Sequence, residues 1–176
     1  DLNTCVFAEP ALYATEKALY LAAYCAHVGT DLQEYIELFG CEQPCDMDNA
    51  PHWQYLGRIL TPDDARRATD HDHYQAPDIV KQGNTTYLVI TPVAVTTHNR
   101  YDGCRAYEFA DIDQAELLRD AENNPVEILR VDGSPGTHNG ACTAFDTLPG
   151  GIIYSQYDPD GSPETFQMYS SRQRLP

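Results

Sequence analysis

Apolar positions along this chain come in short runs that strand-breaking residues interrupt. Tyr, Val, Ile, Leu and Thr cluster, and Gly, Pro, Asn and Asp divide the clusters. That pattern predicts strands over residues 11–13, 19–25, 34–41, 54–59, 78–81, 86–91, 105–109, 126–131, 141–145, 152–157 and 165–170. Helix signals are few. Thr61-Pro62-Asp63-Asp64 supplies an N-cap, a proline at the first helical position and acids in the first turn. It predicts one short helix to about residue 68, and a second turn or two is expected within 113–119. The class is all-β with small helical insertions.

The strands repeat. "AEPALYATEKALYLAAYC" (8–25), "QAPDIVKQGNTTYLVITPV" (75–93) and "HNGACTAFDTLPGGIIYSQY" (138–157) each open on small or polar residues, break at a turn and end in a Tyr-bearing strand. Pro10 and Pro77 are 67 residues apart, and Pro77 and Gly140 are 63 apart. After each hairpin the first two units add two strands, whereas the third adds only "TFQMYSS". Four strands in roughly 65 residues is the size of a propeller blade. The expected fold is therefore a partial β-propeller of about three four-stranded blades, with units at 1–60, 61–133 and 134–176. Together they make a single domain or part of one. A two-sheet sandwich is the alternative. A ring usually needs at least four blades, so missing N-terminal blades or another polypeptide would have to complete it.

The 176 residues fit one domain, and no apolar run approaches the 18 that a membrane-spanning helix needs. A start at Asp1 without Met is expected of a cleaved chain or of one piece of a longer one. The net charge of -16, with only eleven scattered basic residues, argues against nucleic acid and anionic membrane surfaces as partners. Cys41 and Cys45 form C-x3-C, but no second pair follows at zinc-finger spacing. The even count of six cysteines favours disulfides in an oxidising compartment, extracellular or periplasmic, with the pairing left open. Asn84-Thr85-Thr86 is an N-glycosylation acceptor pattern.

"FAEPALYATEKALYLAAYC", "APDIVKQGNTTYLVITP" and "HNGACTAFDTLPGGIIYSQYD…TFQMYSSR" resemble the later blades of the five-bladed propeller glycoside hydrolases. These are the family 43 enzymes and their β-fructosidase-like relatives. The resemblance implies an active site in the funnel at one end of the channel, lined by the first residues of each innermost strand. It implies carbohydrate as the ligand and two carboxyl groups flanking the scissile bond. On that pattern Glu9 takes the position of the general acid. His138 and Asn139 line the site, where Asn139 can both donate to and accept from a sugar hydroxyl. His73 and Tyr74 would hang over the funnel. No cofactor and no metal-ligating residue is expected, although the resemblance allows a structural divalent cation in the channel. The chain departs from the family at two places. No glycine follows Glu9, and Ala76 stands where the second unit would carry a functional side chain. These departures favour an alternative reading, a non-catalytic propeller serving in carbohydrate binding or protein assembly. Asp78 is expected to be structural.

Other clusters give weaker signals. "DHDHYQ" (70–75) holds His71 and His73 on one face of an extended chain but has no third ligand in register, so it reads as loop surface. Trp53, the only tryptophan, is either packing or a sugar-stacking platform. His98-Asn99-Arg100-Tyr101 reads as a turn at the substrate rim. There is no G-x-S-x-G and no Gly-rich phosphate loop.

Overall fold

The computed structural model describes residues 4–27, 33–69, 71–94, 100–132, 138–144, 151–158 and 165–176. The strands are β1 (Cys5–Ala14), β2 (Ala18–His27), β3 (Gln33–Glu42), β4 (Gln54–Leu60), β5 (His73–Gln82), β6 (Thr85–Ala94), β7 (Arg100–Tyr101), β8 (Cys104–Asp111), β9 (Glu116–Leu117), β10 (Glu127–Val131), β11 (His138–Ala144), β12 (Ile152–Asp158) and β13 (Thr165–Ser170). They form three antiparallel sheets: β1-β2-β3-β4, then β5-β6-β8-β10 with β7 and β9 alongside, then β11-β12-β13. Of the innermost strands, β5 lies against both β1 and β11. This is the blade arrangement that the repeats predict.

One helix, α1 (Pro62–Thr69), bridges the first two sheets. Its start is a reciprocal cap. The Asp64 N–H donates to Thr61 Oγ1 at 3.2 Å, and the Thr61 N–H donates to Asp64 Oδ2 at 2.9 Å. Asp64 also accepts from Arg119 at 2.7 Å. Burial pushes the Asp64 carboxyl up, but these donors outweigh it and hold it below its ordinary value. The expected helical turns at 113–119 resolve differently. Ile112–Gln114 is a single 3-10 turn, and Glu116–Leu117 then pairs with β8. The turn stops where Ala115 takes a left-handed conformation.

The three innermost strands share a device that the sequence did not reveal. Each carries a bulge with two residues opposite one on the next strand: Glu9-Pro10, Ala76-Pro77 and Ala141-Cys142. In each, the first residue is left-handed, with φ of 52, 49 and 51°. None is glycine, so each costs about 1 kcal/mol or more in backbone strain. The structural repeat therefore runs Glu9, Ala76, Ala141. The residue of the third copy that matches Pro10 and Pro77 is Cys142 rather than Gly140, because the bulge rather than the glycine sets the register. His138 consequently matches His73, three residues before its bulge.

Side chains alternate faces along a strand, so the middle sheet buries both of its faces. One face carries Tyr74, Leu88, Ile90 and Tyr107 and packs on Tyr20, Ala22, Ile36 and Leu38 of the first sheet. The other carries Tyr87, Val89, Cys104 and Ala106 and packs on Cys142 and Ile152 of the third. Tyr74 is thus core, not funnel. It is 2% exposed, and its hydroxyl lies 2.8 Å from that of Tyr107. All six cysteines are bonded, as Cys5–Cys25, Cys41–Cys45 and Cys104–Cys142. C-x3-C is therefore a disulfide rather than a metal knuckle, and Cys104–Cys142 staples the second sheet to the third. No helix among the described residues is long and apolar enough to cross a membrane.

Candidate functional site

Glu9 sits at the first bulge with its side chain exposed. The Ala76 N–H, at the second bulge, donates to Glu9 Oε2 at 2.7 Å. At the next sheet interface the Ala141 N–H, at the third bulge, donates to Thr91 Oγ1 at 3.1 Å. A bulge releases an amide from its ladder, and at both interfaces the preceding sheet supplies a side-chain oxygen for it. Glu9 therefore has a structural task, and that task orients an exposed carboxylate at the inner strand ends.

A buried polar network lies beside it. His73 Nε2 contacts Glu34 Oε2, and the two residues are 3% and 6% exposed. His73 Nε2 is also 3.0 Å from Gln75 Nε2, and the Tyr101 hydroxyl donates to Gln75 Oε1 at 2.7 Å. Tyr24 bonds both Glu34 and Gln75, and its ring lies 6.3 Å from that of His73. Burial, then the Glu34 bond and the charges of Glu34 and Glu9, push the Tyr24 hydroxyl far above its ordinary range. Burial and the same two carboxylates raise Tyr101. Both phenols stay protonated and act as hydrogen-bond donors or acceptors, not as acids.

Within the 71–75 stretch, His73 to Gln75 are therefore strand and not loop surface. His73 opens β5 inside a buried pair, and the His71 Nε2 lies 3.0 Å from Asp102 Oδ2. Asp78 ties the second sheet to the third. It accepts from the Thr143 hydroxyl, and burial raises its carboxyl. His138 pairs with Tyr157 and Asn139 with Gln156 across β11 and β12. A Cβ added at Gly140 would lie 2.8 Å from Thr91 Cγ2 and 3.3 Å from Tyr101 Cβ. That close approach sets the Gly140 backbone against Thr91 and Tyr101. Trp53 lies elsewhere. It precedes β4 and lines an apolar cavity of about 310 Å³ with Phe7, Leu21, Ala23 and Phe39, and its indole N–H donates to the Met47 carbonyl at 3.2 Å. His98 and Asn99 fall outside the described residues, whereas Arg100–Tyr101 forms β7.

The sequence singled out Glu9 and His73 and put Tyr101 in a rim turn, but it read Gln75 only as loop surface and gave no signal for Tyr24 or Glu34. Gln75 on β5 and Tyr24 on β2 bond to each other only because the first two sheets pack together. Glu34 arrives from a third strand, which no local pattern signals.

No family model and no curated protein matches the sequence. Solved structures do. An α-L-arabinofuranosidase from Lactobacillus brevis superposes with a TM-score of 0.62 at 12% identity, over 99% of this chain and 54% of its own. The chain has the fold of about half of that propeller. A thermostable family-43 glycoside hydrolase gives a TM-score of 0.53 at 11% identity, over 93% of this chain and 46% of its own. The RS223 β-xylosidase gives 0.51 at 14% identity, over 99% and 50%. The chain thus spans about half the length of these proteins, and at such identity the likeness is one of fold. The propeller fold is represented in this chain by three sheets, with Glu9 on the first strand of the first.

Proposed function

We propose that this chain is the C-terminal part of a secreted glycoside hydrolase-like propeller, and that Glu9 is its general acid toward a carbohydrate. The observation that supports this is the placement of Glu9. It is an exposed carboxylate at an inner strand end, fixed at one oxygen by the Ala76 N–H and flanked by the Tyr24–Glu34–His73–Gln75–Tyr101 network. Three disulfides fit an oxidising environment, extracellular or periplasmic. Hydrolysis needs a second carboxyl group across the bond. Glu34, the other carboxylate of the cluster, is committed to His73, so the partner would come from residues upstream of Asp1. His138 and Asn139 would line the site on this reading, whereas His73, buried against Glu34, stands behind it rather than at its surface. Pentosides are the substrate class to test first, because the similar structures include an arabinofuranosidase and a xylosidase.

One observation favours the non-catalytic reading. Thr91 performs toward Ala141 the same task that Glu9 performs toward Ala76, so a carboxylate at position 9 has a purely structural use. The parent polypeptide, assayed on aryl α-L-arabinofuranoside and β-xyloside, separates the two. Hydrolysis that disappears in Glu9→Gln while folding is retained supports the acid role. Binding of arabino- or xylo-oligosaccharides with no hydrolysis by the unaltered protein supports the binding module.

A further inference from the structure

The β1–β2 hairpin gathers a second chemical cluster at the end away from its turn. Cys5 pairs with His27 across the two strands, and Phe7 pairs with Cys25. Side chains alternate faces along a strand, so Cys5, Cys25 and His27 share one face: Cys5 directly opposite His27, and Cys25 on the diagonal. Cys5 and Cys25 are bonded. His27 Nε2 lies 3.6 Å from Cys5 Sγ, and His27 Nδ1 lies 2.8 Å from the Thr4 hydroxyl. Tyr35 packs edge-on against the imidazole, with ring centroids 5.2 Å apart. With Nδ1–H donating to Thr4, Nε2 keeps its lone pair toward the sulfurs, the orientation that an outer partner gives a ligand histidine. The two sulfurs and Nε2 all lie within 4.8 Å of one another. Among the described residues no other three His, Cys, Asp or Glu side chains bring ligand atoms so close.

We propose that this cluster is a redox-gated metal site: once the Cys5–Cys25 bond is reduced, the two sulfurs and His27 Nε2 hold one zinc ion. The chemistry balances. A dithiol reductant gives two electrons and two protons to the bond, becomes a disulfide itself and leaves two cysteine thiols. Zinc then replaces the two thiol protons, which pass to water. Two thiolates and an imidazole are ligands that zinc takes readily. The spacing is already close to that of a zinc site. Bonds of about 2.3 Å to sulfur and about 2.0 Å to nitrogen put two tetrahedral ligands about 3.5 Å apart, and Nε2 stands 3.6 Å from Cys5 Sγ. Only the two sulfurs have to part, by side-chain rotation. The strand frame does not depend on the bond, because the ladder from Cys5–His27 to Ala14–Leu19 ties β1 to β2. Cys104–Cys142 differs, since it joins two sheets and both of its residues are buried. Cys5 and His27 are half-buried, so a metal ion reaches them and water takes the fourth position. The inference stands apart from the proposed function, because neither Glu9 nor its neighbouring network takes part.

The test uses the 176-residue chain carrying Cys41→Ser and Cys45→Ser, which removes a competing pair of thiols. The folded chain is reduced with a phosphine, freed of it under nitrogen and titrated with cobalt(II), whose thiolate charge-transfer absorption reports sulfur ligation. The expected result is one cobalt ion per chain with that absorption, displaced by zinc, and none in the unreduced chain. His27→Phe should weaken the affinity by more than about a hundredfold, since losing a ligand costs more than losing an outer-shell partner. Cys5→Ser should weaken it as much, and it keeps the test decisive if the His27 variant misfolds. A bond that native reduction leaves closed overturns the inference. So does unfolding of the reduced chain, read by circular dichroism, or a titration without charge-transfer absorption. Full affinity in His27→Phe or in Cys5→Ser overturns it as well.

Discussion

The carboxylate of Glu9 accepts the amide hydrogen of Ala76 at 2.7 Å, joining the bulge of one sheet to the bulge of the next. The two residues are 67 positions apart and hold the same place in successive repeats. A single contact therefore fixes the register of two sheets and the direction of the one exposed carboxylate at their inner ends among the residues of the network.

That contact separates structure from chemistry at position 9. Glu9→Gln keeps an amide oxygen for the Ala76 N–H and should change stability by less than about 0.5 kcal/mol. Glu9→Ala removes the acceptor and should cost about 1 kcal/mol, the net worth of one hydrogen bond. Urea denaturation checks both. A Gln variant as unstable as the Ala variant would show that charge rather than the hydrogen bond holds the bulges together.

The left-handed bulge residues predict a second asymmetry. Ala141→Gly should be neutral or stabilising by about 0.5 kcal/mol, since glycine takes positive φ freely but loses more entropy on folding. Ala141→Val should cost about 2 kcal/mol, because a β-branched side chain is excluded from that region. Thermal unfolding of the two variants gives the comparison.

His73 and Glu34 are a buried pair. His73→Ala leaves the Glu34 carboxylate without its partner and should cost about 3 kcal/mol, the lower end for a broken buried pair because Tyr24 still donates to it. The double variant His73→Leu/Glu34→Leu should cost less than the single one, since no lone charge remains. Equal or additive losses would contradict this account.

The two shifted aspartates act in opposite directions with pH. Asp64 has a depressed folded pKa, so its contribution is full above its ordinary 3.8 and is lost as pH falls through the lower folded value. Asp64→Asn should flatten the acid side of the stability curve below about pH 4. Asp78 has a raised folded pKa, so its ionisation opposes folding above that value, and the penalty fades as pH falls toward 3.8. Asp78→Asn, which keeps an acceptor for Thr143, should be stabilising at neutral pH and without effect in acid. Denaturation curves from pH 3 to 7 read both signs.

The Cys104–Cys142 bond spans 38 positions and joins two sheets. Its replacement by two alanines should cost about 3–4 kcal/mol, mainly through the freedom returned to the unfolded chain. Differential scanning calorimetry of the variant gives the loss directly.

The sequence by itself determined the class, the strands and the repeat. Short Tyr- and Val-rich runs bounded by Gly, Pro and Asn specify strands locally, and Thr61-Pro62-Asp63-Asp64 specifies a helix start from its own residues. It also drew attention to Glu9 and His73, because polar residues at the head of an apolar strand stand out in one dimension. Position 140 misled for the same reason. A glycine is visible in sequence, whereas the bulge at Ala141 exists only when two strands are paired. The ion pair of His73 with Glu34, the bond from Ala76 to Glu9 and the burial of Tyr74 were decided by tertiary structure alone. Each depends on sheets meeting across dozens of residues, and face and register there follow from packing rather than from any neighbour in the chain.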